Sequence, residues 1–178
     1  QLEATTIERA GEGVTAGADY RFSPDALIGV SLAGGNINWS LTGNGVTGGG
    51  TSDAFLAGLY GKYSAGQAYV TGALTYSSYW TSTNRTVTVA GFDQLRADYN
   101  AHGFGGRIEG GYRLPVAYGN IVWTPYGAVQ GQSFSTPFYG ETAVAGSNQF
   151  ALDFASRTAT AWRGELGVRT DKTIAIDN

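Results

Sequence analysis

Trp162-Arg163-Gly164-Glu165-Leu166-Gly167-Val168-Arg169 alternates without a break. Trp162, Gly164, Leu166 and Val168 fall on one side of an extended chain, and Arg163, Glu165, Gly167 and Arg169 on the other. A period of two is the signature of a β-strand, whose successive side chains point to opposite faces. All the charge lies on one face and all the large apolar surface on the other. An Arg turned toward lipid at the bilayer midplane costs about 2–4 kcal/mol, whereas one turned toward water costs little. The stretch therefore predicts a strand between two different solvents.

Working outward, the pattern repeats along the chain. Val14, Ala16, Ala18, Tyr20 and Phe22 oppose Thr15, Gly17, Asp19 and Arg21. Ile28, Val30 and Leu32 oppose Gly29, Ser31 and Ala33. Near 54–63, Phe55, Ala57, Leu59 and Tyr63 oppose Gly58, Tyr60 and Lys62, with Leu56 out of phase. Val70, Leu74, Tyr76 and Trp80 oppose Thr71, Ala73, Thr75 and Ser77. Leu95, Ala97, Tyr99 and Ala101 alternate with Arg96, Asp98, Asn100 and His102. After Gly103-Phe104-Gly105-Gly106, Ile108, Tyr112 and Leu114 alternate with Arg107, Glu109 and Arg113. A phase change at a glycine cluster predicts a β-bulge. A run over 121–135 sets Trp123 and Val129 against Tyr126, Gln130 and Gln132.

Two features favour a membrane barrel over a soluble β-sandwich. The patterned runs are long, whereas globular strands average about 5–6 residues and a tilted membrane strand needs about 9–11. The connections also alternate. Ser23–Ala26, Ser64–Gln67 and Pro115–Asn120 are short, and Leu41–Thr51, Thr81–Asp93 and Thr136–Gln149 are long. Short periplasmic turns with long surface loops mark outer-membrane barrels. Tyr20, Phe22, Tyr63, Tyr69, Tyr112 and Trp123 near the short turns are expected to form one aromatic girdle. Trp39, Phe55, Tyr79, Trp80 and Phe134 near the long loops are expected to form the other.

Composition agrees. Of 178 residues, 28 are Gly, 11 Tyr and 8 Phe, and only 14% are charged, which is too aromatic for a disordered chain. No run of 18 apolar residues offers a membrane-spanning helix, but strands that hide a lipid face tolerate a mean hydropathy of −0.14. With no Cys, disulfides and thiolate chemistry are absent. A net charge of −3 without a basic run speaks against a nucleic-acid partner.

Blocks of the chain resemble the translocator domain of autotransporters, the type V secretion barrel. They are Gly13-Val14-Thr15-Ala16-Gly17-Ala18-Asp19-Tyr20-Arg21-Phe22-Ser23-Pro24-Asp25, Ser52-Asp53-Ala54-Phe55-Leu56-Ala57-Gly58-Leu59-Tyr60-Gly61, Gly106-Arg107-Ile108-Glu109-Gly110-Gly111-Tyr112-Arg113, Thr124-Pro125-Tyr126 and Arg163–Arg169. The resemblance spans about residues 13–170 in order. It implies an all-β, antiparallel, up-and-down transmembrane β-barrel of twelve strands, of which about seven lie here. It implies a bacterial outer-membrane anchor whose pore exports an upstream passenger, with a linker segment in the lumen, and whose partners are outer-membrane lipid and the barrel-assembly machinery. On this reading residues 1–12 are an extension or part of a preceding strand or loop, 13–172 the barrel segment and 173–178 a tail. The tail lacks the family's terminal aromatic strand, an odd number of crossings implies at least one strand missing on the N-terminal side, and the resemblance implies four more beyond Asp171, so this stretch alone is not expected to close and conduct.

The expected lumen-lining set is Asp19, Arg21, Arg96, Asp98, Arg107, Glu109, Arg113, Arg163, Glu165 and Arg169. Ile28, Val30, Tyr112, Trp162, Leu166 and Val168 are expected to face lipid. No catalytic, cofactor or metal residue is expected. Gly43-Asn44-Gly45-Val46-Thr47-Gly48 has phosphate-loop spacing, but a strand rather than a helix should follow it. His102, the only His, is expected in the lumen or a loop. Glu109 and Glu165 could pair as acid and base, but lumen ion pairs with Arg107 and Arg163 are the simpler reading. A small closed barrel with a structural or adhesive role and a soluble sandwich binding module remain the alternatives.

Overall fold

The computed structural model describes residues 6–43, 46–88, 91–116 and 121–172. Its elements are β1 (Thr6–Ser23), β2 (Ala26–Gly43), β3 (Val46–Ala65), β4 (Ala68–Val87), β5 (Asp93–Tyr112), β6 (Leu114–Val116), β7 (Ile121–Thr136), β8 (Tyr139–Gly140), β9 (Thr142–Ala145), β10 (Asp153–Phe154) and β11 (Arg157–Lys172). No helix occurs among the described residues. The main sheet runs β1-β2-β3-β4-β5-β7-β11, each strand antiparallel to the next. This is the up-and-down meander that the alternating connections predict.

The long strands have 16 to 20 residues. At about 3.3 Å per residue they extend roughly 50–65 Å, about twice what a crossing needs. That length comes from segments the sequence reading assigns to loops. β2 continues to Gly43 and β3 resumes at Val46, so most of Leu41–Thr51 is hairpin. β4 continues to Val87 and β5 begins at Asp93. At the other end the turns are tight, with Gly66 supplying the positive φ of 62° between β3 and β4. β1 begins at Thr6, and Thr6–Glu12 pair with Thr42–Asn36, so this part of the expected extension belongs to the sheet. Residues 1–5, and Asn44 and Gly45 of the glycine motif, lie outside the described residues. Gly48 sits in β3 opposite Leu41 and Arg85.

The expected bulge at 103–106 is absent. β4 and β5 keep one register from Ala68↔Tyr112 to Val87↔Asp93. The apparent phase change has another cause, set out below.

The third long connection is a folded flap. Residues 137–156 turn back over the upper part of β5, where β9 pairs with Gln94–Arg96 and β8 pairs with β10. The flap accounts for almost the entire buried apolar set, since Val87, Leu95, Ala97 and Ala101 lie at this end of the sheet and only Ala128 lies elsewhere. Everywhere else the sheet is one layer thick. Leu166 is 90% exposed and Trp162 76%. In water such a surface would collapse or aggregate, so its natural solvent is hydrocarbon. No second sheet covers it among the described residues, which removes the sandwich alternative.

Candidate functional site

Residues paired across antiparallel strands share a face, so the register assigns every side chain. One row runs Asp19–Gly29–Tyr60–Ala73–Arg107–Gln130–Arg163 across all seven main strands. The next runs Arg21–Leu27–Lys62–Thr71–Glu109–Ala128–Glu165. Asp19, Arg21, Arg107, Glu109, Arg163 and Glu165 therefore lie on one face, together with Arg169, opposite Thr124. Arg113 lies just past β5 with its guanidinium 5.8 Å from the Tyr69 ring centroid, on the same side.

At the turn end this charged face is knitted into a cluster. Arg169 donates to Glu109 from Nη1 at 2.7 Å and from Nη2 at 2.9 Å. Arg107 Nη2 donates to Glu109 at 2.8 Å, and the Tyr69 hydroxyl at 2.9 Å. The second carboxylate, Glu165, accepts from Tyr126 at 2.7 Å and from Arg107 Nη1 at 3.2 Å, with Arg163 at 3.6 Å. Arg169 also lies 3.9 Å over the Tyr126 ring, a cation–π contact. Charge-assisted, partly bidentate bonds of this kind fix geometry as well as adding energy. They tie β4, β5, β7 and β11 together, linking strands about 14 Å apart in a flat sheet. Both carboxylates spend their oxygens on Arg and Tyr, which is the arrangement of a structural clamp rather than of an acid–base pair.

Two members of the expected set go elsewhere. Unbroken register puts Arg96 and Asp98 on the opposite face from Arg107 and Glu109. They pair with each other at 3.0 Å, with side chains 50% and 60% exposed. The Arg96 guanidinium beside it holds the Asp98 carboxyl below the usual carboxylate range. His102 shares that face, accepting or donating at 3.0 Å with the Tyr76 hydroxyl, and is not on the charged side. The expected girdles are corrected as well. Tyr69 and Tyr79 lie on the charged face, as do Trp39 and Phe134, opposite Gly50 and Gly103.

The apolar face explains Arg96 and Asp98. Read upward from the tight turns, its apolar, glycine and tyrosine residues run to a sharp level on every long strand, where polar residues take over. They stop at Val14 on β1, Gly34 on β2 and Phe55 on β3, beyond which come Glu12, Asn36 and Asp53. On β4 and β5 the last are Tyr76 and Phe104, followed by Ser78 and His102. On β7 and β11 they are Gly131 and Trp162, followed by Ser133 and Thr160. Only Trp80 breaks the pattern. The limit thus moves by two rows toward the turn end from β1 to β11, the steady stagger that tilted strands show against a flat bilayer. From Tyr112 to Phe104 the window covers about 26 Å of strand, or about 20 Å of height at a 40° tilt, close to the 25 Å apolar band of such barrels. Above it both faces carry polar and charged residues. The apparent phase flip at 103–106 is the level at which the apolar face of β5 turns polar.

A family model described as "Autotransporter beta-domain" matches residues 3–178. The chain belongs to the autotransporter β-domain family. With that family it belongs to the outer-membrane β-barrels, and its place is the bacterial outer membrane. Its fold is similar to the translocator domain of autotransporter NalP from Neisseria meningitidis. That match has a TM-score of 0.65 and 16% identity, covering 95% of this chain and 56% of that one. It is also similar to the β-domain of the Bordetella autotransporter BrkA, at 0.60 and 23% identity, over 96% of this chain and 66% of that one. The ferric yersiniabactin uptake receptor FyuA from Yersinia pestis matches at 0.60 and 12% identity, with 26% of that chain covered. The chain thus spans a little over half the length of the NalP domain. No curated protein sequence matches the chain.

The expected lumen set left out Lys62 and Tyr126, whose parity the alternation already gave, and the sequence reading placed Tyr69 in a girdle rather than on the charged face. Tyr is ambiguous from pattern alone because it serves equally in a lipid-facing girdle and in a polar wall.

Proposed function

We propose that this chain forms part of the wall of an autotransporter translocator pore, with the charged face lining the lumen and the apolar window facing lipid. The observation that carries the reading is that the two rows through Arg107 and Glu109 gather the charged residues on one face, behind a lipid-sized apolar band on the other. The wall then anchors the protein in the membrane and gives an upstream passenger and its linker a wet, charged surface that does not hold apolar segments. Glu109 and Glu165, both held by Arg and Tyr, serve this wall as a clamp. Lys62, Arg113 and Arg163 present cationic groups that no carboxylate saturates bidentately, and a linker with carboxylates on the facing side fits them. Barrel-assembly machinery is the insertion partner implied by the family. In this role residues 13–172 act as barrel, with the preceding residues 6–12 extending β1 above the membrane.

An epitope placed upstream of residue 1 in the full-length protein tests the export reading. On intact cells it becomes accessible to antibody at the surface when the barrel is present. An epitope that stays periplasmic while the barrel inserts normally would refute export and favour a barrel with a purely structural role.

A further inference from the structure

The flap at 137–156 is built rather than loose, and it lies on the charged face. Arg85 and Tyr99 share that face with Arg107. Arg85 grips Glu141 with two nitrogens and donates to the Phe150 carbonyl at 2.7 Å. The Glu141 side chain is 7% exposed and also accepts from the Leu152 amide at 3.0 Å. Tyr139 stacks between Tyr99, at 4.1 Å, and Phe154, at 4.7 Å, with ring planes within 16° of parallel. Asp93 accepts from the Ser147 amide at 2.6 Å. Gly146, at φ 82°, passes so close that an added Cβ would meet the Phe92 carbonyl at 2.2 Å.

β5 outruns β7, whose pairing with it ends at His102↔Ser135. That leaves a stretch of open ladder, and β9 returns to fill part of it. The flap's fixed place is therefore on the lumen side of the sheet, above the membrane window, at the mouth of the pore. We propose that residues 137–156 are a latched flap that narrows the extracellular mouth, with Arg85–Glu141 as the latch. The inference rests on the pore reading given above. A passenger in transit requires the flap to swing aside, and the latch reseals the mouth when the lumen empties. The part-buried, charge-assisted Arg85–Glu141 pair and the Tyr99–Tyr139–Phe154 stack together hold the flap in place.

The test is single-channel conductance of the full-length protein in planar bilayers, comparing the parent with Arg85→Ala/Glu141→Ala. Unlatching raises the conductance at least about twofold or brings frequent transitions to a larger open level. A tether controls for general damage. Arg96 and Thr142 are cross-strand partners between β5 and β9, on the side away from the lumen. In the unlatched background Arg96→Cys/Thr142→Cys, once oxidised, returns the conductance to the parent's level, and a reductant reverses this. Channels of equal conductance in parent, unlatched and tethered proteins would overturn the flap alone. Absence of current from all of them, in protein that inserts and folds, would take down the pore reading with it.

Discussion

The lower and upper halves of these strands share one backbone and one register but lie between different solvents. In the lower half Ile108 and Leu166 lie on one face and Arg107, Glu109 and Glu165 on the other; on the reading proposed above the first face meets hydrocarbon, and the two cannot be exchanged. In the upper half, Arg96 and Asp98 stand on the continuation of the Ile108 face with exposed side chains; on the same reading that face has risen into water there, where charge costs little. A β-strand writes its period into the sequence only where its faces meet different surroundings. Where both meet water, register is held by the ladder and by small polar pairs such as Asn36–Asp53, at 2.7 Å, and Ser52–Thr81, at 2.9 Å.

The largest contrast is a charge placed on the same face at two heights. Ile108→Arg and Leu166→Arg are expected to lower stability by about 2–4 kcal/mol, because the guanidinium enters the apolar band. Asn100→Arg, four positions above Phe104 on the same face, is expected to leave it nearly unchanged. Urea unfolding of the full-length protein in lipid vesicles, followed by heat-modifiable gel migration, reads both. Equal effects at 100 and 108 would remove the boundary at Phe104.

A middle-sized effect is expected at the clamp. Glu109→Ala leaves Arg107 and Arg169 without their shared acceptor and frees the Tyr69 hydroxyl. The lumen hydrates the freed groups, so the loss is about 1–3 kcal/mol rather than that of a buried ion pair in a dry core. The same unfolding measurement checks it, and Glu109→Gln should recover part of the loss. The smallest effect is expected at Asp98→Asn. Its exposed pair with Arg96 is screened by solvent, so the unfolding midpoint should not move measurably. A clear shift there would mean that the upper ladder depends on surface charge.

This contrast also explains how much was legible in the sequence. The strand order, the tight turns and the charged set from Asp19 to Arg169 follow from alternation between two solvents. The lengths of β2 to β5 do not, since Gly48-Gly49-Gly50 and Thr81–Val87 lack an apolar face and read as loops. Gly50 joins the sheet because the Trp39 ring of the neighbouring strand lies across it, where an added Cβ would meet the indole at 2.3 Å. The flap was unreadable for a related reason. Its latch joins Arg85 to Glu141, residues far apart in the chain that carry no local signal. Arg96 and Asp98 misled because charge was taken to mark a lumen face, whereas above the bilayer it marks only water.

Cysteine scanning along β5 from 98 to 112 in the full-length protein, with a lipid-phase and a membrane-impermeant reagent, tests the two-solvent wall most directly. Positions 104, 106, 108, 110 and 112 should react with the lipid-phase reagent and 105, 107, 109 and 111 should not. From 102 upward in space, 102, 100 and 98 should react with the aqueous reagent while keeping the parity of 104. Lipid-phase labelling at 107 and 109, or a change of parity between 102 and 107, would contradict the unbroken register and the wall built on it.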